Sequence, residues 1–200
     1  MLFGAQSGGL ELRKTGGGSF RLRGSFPYNS LATLSDGGRN GGRPKKEQFA
    51  PGAFSYNLEN NTDILFLSGH RFDKPLASVA AGTLSLKDTE AALLMDAEIT
   101  PQMRETSWTR DFLAAFDAGL VVGLSPGFRI PPQRTVANAE KITQEDPKKG
   151  NAVIRTINAA LLFELSAVTR AAYPEAQISA RSWAVPERIS GTLHMQRWRA

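Results

Sequence analysis

Apolar and polar residues alternate through Phe20–Phe26 (FRLRGSF), the period of two that a half-buried strand requires. The apolar run in Asp63–Ser68 (DILFLS) suits a strand buried on both faces, and it stops at Gly69-His70. Residues 77–86 and 91–99 predict two more strands around an Asp88-Thr89 turn, and therefore a meander. Trp108, Phe112 and Phe116 recur every four residues and predict one helix over 101–118. Thr100 can cap that helix, Pro101 suits its first position, and Gly119 suits its end. The aromatic stripe reads as core.

Residues 48–54 (QFAPGAF) predict a turn and a helix start. A short strand or turn follows the long helix at 120–124, with Ser125-Pro-Gly-Phe128 as a turn. Residues 152–157 and 160–169 read as strands, and Tyr173–Ala176 turns into a short helix. About seven short strands with antiparallel connections and one good helix favour an α+β fold, a closed or strongly curved sheet with helices outside it. Glycine-rich residues 1–18 predict a flexible N-terminal segment, and 19–181 the folded domain. Residues 131–151 read as a polar excursion or mobile loop, and 182–200, with Arg188, His194, Arg197 and Arg199, as a C-terminal tail.

At 200 residues the chain fits a single domain. It has no cysteine, which excludes disulfides, thiolate nucleophiles and cysteine-built zinc sites. Two histidines leave almost no room for a multi-histidine metal site, and no apolar run is long enough to span a bilayer. The N-terminus lacks the basic start and apolar stretch of a signal peptide, so an intracellular setting is expected. The net charge of +5 comes from residues 1–50, where eight Lys and Arg face three acidic residues. This excess either draws an acidic partner or simply solvates a basic segment. No aromatic residue interleaves with Arg39–Lys46, which argues against single-strand binding.

Three side chains stand out as chemistry. His70 ends an apolar strand beside Gly69, where an imidazole can face a cleft as a base or serve as a structural hydrogen-bonding group. Ser125 lies in GLSPGF between Gly123 and Gly127, in what reads as a tight exposed turn that suits a nucleophile or an ordinary turn serine. Glu164 interrupts LLFELSAV, and a carboxylate there must be paired or face solvent. Pro126 has no N–H, so the amide just after Ser125 cannot serve an oxyanion hole.

In order along the chain come QFAPGAF, Gly-His70-Arg-Phe-Asp73, a meander, a helix ending at Gly119, GLSPGF, and LLFELSAVTRAAYPEAQI. From about Phe20 to Ile178 this resembles the prohead maturation protease family of tailed bacteriophages, serine peptidases distantly similar to the herpesvirus assemblins. The resemblance assigns the catalytic His, Ser and acidic member to His70, Ser125 and Glu164. Asp73 and Ser166 are rivals for the third place. The sequence departs from the family pattern at Gly69, where an Asn is usual, and at Arg71-Phe72 before Asp73. The 39-residue interval from Ser125 to Glu164 is long for the family, and residues 131–151 account for it.

The resemblance implies an assemblin-like β-barrel with flanking helices and no cofactor. It implies cleavage of scaffold and major capsid protein inside a procapsid in the host bacterial cytoplasm, with self-cleavage near the termini. Oxyanion candidates are the amides of Ser125, Gly127 and Phe128, with Arg129 and Arg170 further off; an assemblin-like arginine loop favours Arg170. A homo-oligomer is compatible with this reading, and nucleic acid or membrane partners are not expected. The competing reading is a non-catalytic basic β-barrel binding module, or a capsid or scaffold component with a degenerate protease fold. That module needs Arg39, Arg43, Lys45 and Lys46 together on one face.

Overall fold

The computed structural model describes residues 11–14, 18–38, 41–59, 63–121 and 123–169. Arg39, Arg170, His194, the Tyr173–Ala176 turn and the 182–200 tail lie outside these residues. Twelve strands, three α-helices and one 3-10 turn are present among the described residues.

The strands form three open four-stranded sheets rather than the expected barrel. Alternation along a strand fixes which face is buried, but says nothing about which edges meet, and among the described residues no edge closes a ring. The first sheet holds β1 (Glu11–Lys14), β2 (Phe20–Pro27), β8 (Ala92–Ile99) and β7 (Leu84–Asp88) in that order, all antiparallel. Thus β1 falls inside the stretch expected to be flexible. The second sheet runs β10 (Glu140–Gln144), β11 (Val153–Ile157), β4 (Lys45–Phe49), β3 (Ala32–Ser35). β10 is built from the polar 131–151 stretch; its side chains are mostly exposed, so no burial pattern marks it as a strand. The expected turn at 48–54 is likewise part strand: β4 runs through Gln48 and Phe49, and helix α1 starts only at Ser55 (Ser55–Glu59).

The third sheet carries the site. Its order is β6 (Pro75–Ser78), β5 (Leu65–Ser68), β12 (Leu161–Val168), β9 (Gly123–Arg129). The connections are not all antiparallel: β4 pairs parallel with β11, and β5 with β12. The β4–α1–β5 unit therefore lies alongside β11–β12. Backbone bonds Ala50 N to Ile157 O (2.8 Å) and Ala160 N to Ala53 O (2.7 Å) stitch the two together, and buried Asn57 donates to Leu162 O (3.1 Å).

The predicted long helix is two: α2 (Pro101–Arg104) and α3 (Ser107–Asp117). Thr100 Oγ1 caps the first, accepting from Met103 N at 3.3 Å. Thr106 breaks the run because its hydroxyl engages Met103 O (2.7 Å) and Thr109 Oγ1 (2.8 Å), with extended backbone at the α3 N-cap. Gly119 ends α3 at φ 71°, and bonds from Gly119 N to Phe116 O and Leu120 N to Ala115 O complete a Schellman motif. Phe112 and Phe116 are buried, and Trp108 packs at the edge of the core and donates to Pro75 O (3.0 Å). One cluster of buried residues joins all three sheets, with Phe49 stacked on Phe54 (5.1 Å) and edge-on to Phe26 (5.2 Å) and Phe128 (4.9 Å).

Candidate active site

Ser125 lies in the middle of an extended strand, not in a turn. Along β9, Leu124 and Pro126 are buried and join the core side, so Ser125 and Gly127 point to the other face. A proline fits here because β9 is an edge strand, where a missing N–H costs no ladder bond. Gly127 also has a reason of its own. A Cβ there would sit 2.0 Å from Glu164 Oε1 and 2.9 Å from Glu164 Cγ, so the glycine leaves room for the carboxylate.

Strand β12 pairs antiparallel with β9, setting Ser166 opposite Ser125 and Glu164 opposite Gly127. A bulge between Leu162 and Glu164 leaves Phe163 unpaired. Without it Leu162 and Glu164, two residues apart, would share a face. With it Leu162 and Leu165 both pack into the core, while Glu164 and Ser166 turn to the side of Ser125. Glu164 is only 2% exposed, and such burial is costly for a carboxylate unless its oxygens are bonded. Both are: Oε1 lies 2.8 Å from His70 Nδ1, and Oε2 accepts from Ser166 Oγ at 2.6 Å.

His70 follows β5 in a turn where Gly69 (φ 65°) and His70 (φ 61°) are both left-handed. That conformation is uncommon for a residue with a Cβ. It is held from several sides. Gly69 N donates to Ala167 O (3.0 Å), Ser68 N to Lys74 O (3.2 Å), and His70 N to Ser166 Oγ (2.8 Å). The imidazole is thereby anchored through Nδ1, and Nε2 stays available on a ring whose side chain is 46% exposed. The rival carboxylate is engaged elsewhere: Asp73 forms an exposed pair with Arg71 at 2.8 Å, which lowers the Asp73 pKa.

Ser125 Oγ makes no hydrogen bond among the described residues. Arg129 lies over the ring of the bulged Phe163 (5.1 Å to its centroid). Beside His70 opens a cleft of about 480 Å³ with Ser68, Lys74, Trp108, Asp111 and Thr169 among its walls; Ser125 does not line it. Among the described residues no cluster of His, Asp and Glu could hold a metal ion, and no helix is long and apolar enough to cross a membrane. Two cations of the basic run are engaged within the fold. Arg43 Nε donates to Asn151 O (2.8 Å), and Lys46 pairs with Glu145 (2.8 Å).

Sequence reading missed the double bonding of Ser166 and the steric role of Gly127. The Glu-x-Ser spacing, which puts both side chains on one strand face, is the signal that could have found the first.

A mixed α+β domain thus holds a histidine–carboxylate pair whose carboxylate lies on the same sheet face as a glycine-flanked serine. The sequence profile of the caudovirus prohead serine proteases matches residues 33–188, and the chain belongs to that family of capsid-maturation proteases. No curated protein and no solved structure matches the chain.

Proposed function

We propose that the chain is a serine endopeptidase that cleaves scaffold and major capsid protein segments during procapsid maturation. The observation that carries this is the His70 Nδ1–Glu164 Oε1 bond of 2.8 Å, on the face where Ser125 stands opposite Ser166. In the proposed reaction Ser125 Oγ attacks the scissile carbonyl carbon, and its proton passes to His70 Nε2. Buried Glu164 balances the imidazolium that forms. His70 then gives the proton to the leaving amine as the C–N bond breaks, and water hydrolyses the acyl ester by the same route in reverse.

Two of the candidate backbone donors in β9 are not available to this scheme. Pro126 can occupy only a position without a ladder bond. Alternation in an antiparallel ladder then commits the amides of Ser125 and Gly127 to β12. That leaves the Phe128 amide and Arg170, two residues after β12, which the family resemblance favours over Arg129. Action inside the procapsid in the host cytoplasm and self-cleavage near the termini belong to the same reading. The tethering of Arg43 and Lys46 weighs against the binding-module alternative.

The test is co-expression with the major capsid protein of the same phage. Wild type should shorten the capsid protein and Ser125→Ala should not. Equal processing by both would remove Ser125 from the chemistry.

A further inference from the structure

We infer that Ser166 is a positioning residue that holds the acid and the base of the site together. The inference rests on the proposed His70–Glu164 pairing. Ser166 Oγ is fully buried and is shared between two partners. It donates to Glu164 Oε2 (2.6 Å) and accepts from the backbone N of His70 (2.8 Å). One hydroxyl thus fixes the rotation of the carboxylate through the oxygen that His70 does not use. The same atom satisfies the amide of a residue in the uncommon left-handed region, at φ 61°.

No other described side chain does this work. Gly69 N is tied to Ala167 O, and Asp73 is engaged with Arg71. Removing the hydroxyl leaves one oxygen of a buried carboxylate and one backbone N–H without a partner at once. Glu164 then turns toward new partners and the imidazole loses its aim. This differs from simple packing, because Ala fills nearly the same space in the strand.

Two measurements decide it, on the full chain. The first is the rate of labelling by a fluorophosphonate probe. The second is the downfield Nδ1–H resonance of His70 in proton NMR, which needs no catalysis. Charged hydrogen bonds of this kind set the expected scale, a loss of about 10- to 100-fold in labelling rate for Ser166→Ala. The His70 resonance should vanish or move upfield, while Ser166→Thr, which keeps the hydroxyl, should recover most of both. Lys74 and Asp111, which line the cleft beside His70, are unchanged in every variant, as is the Arg71–Asp73 pair.

A labelling rate within about threefold of wild type in Ser166→Ala, or an unchanged resonance, overturns the inference; that margin is below what a hydrogen bond to a charged group is worth. If Ser166→Ala does not fold, Ser166→Cys replaces it. Its weak thiol should give intermediate values, and wild-type values there overturn the inference equally. Absence of any Ser125 adduct in wild type would instead bring down the protease reading, while the resonance still judges Ser166.

Discussion

Glu164 leaves no room for a side chain at Gly127, which makes Gly127→Ala an informative substitution. A Cβ at residue 127 lies 2.0 Å from Glu164 Oε1, 2.7 Å from Cδ and 2.9 Å from Cγ. A flexible side chain normally swings clear of such an intrusion. Glu164 cannot, because its side chain is 3% exposed and both oxygens are bonded. Moving it breaks the buried bond to Ser166 and the bond to His70. The His70 bond is half exposed and so counts for less.

A bond to a charged group is worth about 1.5–3 kcal/mol, and overpacking adds about 1–3 kcal/mol. We expect a loss of about 3 kcal/mol, within a range of about 2–5 kcal/mol, or about 6–12 °C in Tm for a chain of this size. The assay is a double-mutant cycle by urea unfolding. In a Glu164→Ala background the obstacle is gone, and Gly127→Ala should cost no more than about 0.5 kcal/mol, a coupling of about 2 kcal/mol or more. Equal destabilisation in both backgrounds would refute the reasoning, because the cost would then come from the strand and not from the carboxylate.

Glu164→Gln should slow probe labelling by about one to several orders of magnitude, whereas Asp73→Asn should leave it within about twofold, by analogy with dissected triads; the reverse ranking would make Asp73 the acid. His70→Ala combined with Ser125→Ala should process capsid protein no worse than either alone, since the two act as a unit, and additive losses would argue against a shared proton transfer. Burial, and then the bond from Tyr28 to Asp88 Oδ1 (2.5 Å), raise the Tyr28 pKa well above its ordinary 10.0. The folded state thus keeps the phenol protonated while the unfolded chain ionises from about pH 10, so this stabilisation is complete below that pH and is lost progressively above it. Tyr28→Phe should flatten the alkaline arm of a stability-against-pH curve, and an unchanged arm would contradict the shift.

Strands with clean alternation or a compact apolar run were legible in the sequence, as β2, β5 and β8 show. The α3 stripe and its Gly119 stop were legible for the same reason. β10 was not, because an exposed edge strand buries too little to leave a pattern. The break between α2 and α3 turns on one threonine hydroxyl choosing backbone partners, a choice no periodicity displays. In the site, the residue types of His70, Ser125 and Glu164 were legible, but not their surroundings. Which way Glu164 faces depends on a one-residue bulge at Phe163, and the buried carboxylate is tolerable only because Ser166, two residues on in the same strand, and His70, from the turn after β5, both meet it. Gly123 and Gly127 suggested a turn around Ser125. The chain there is extended, and Gly127 answers to a cross-strand neighbour.

The most direct test of the central claim is to treat the purified protein with a fluorophosphonate probe and map the adduct by peptide mass spectrometry. A single adduct on Ser125, lost in His70→Ala while the melt is unchanged, is the predicted result. An adduct on another serine, or labelling of Ser125 that persists without His70, would contradict it.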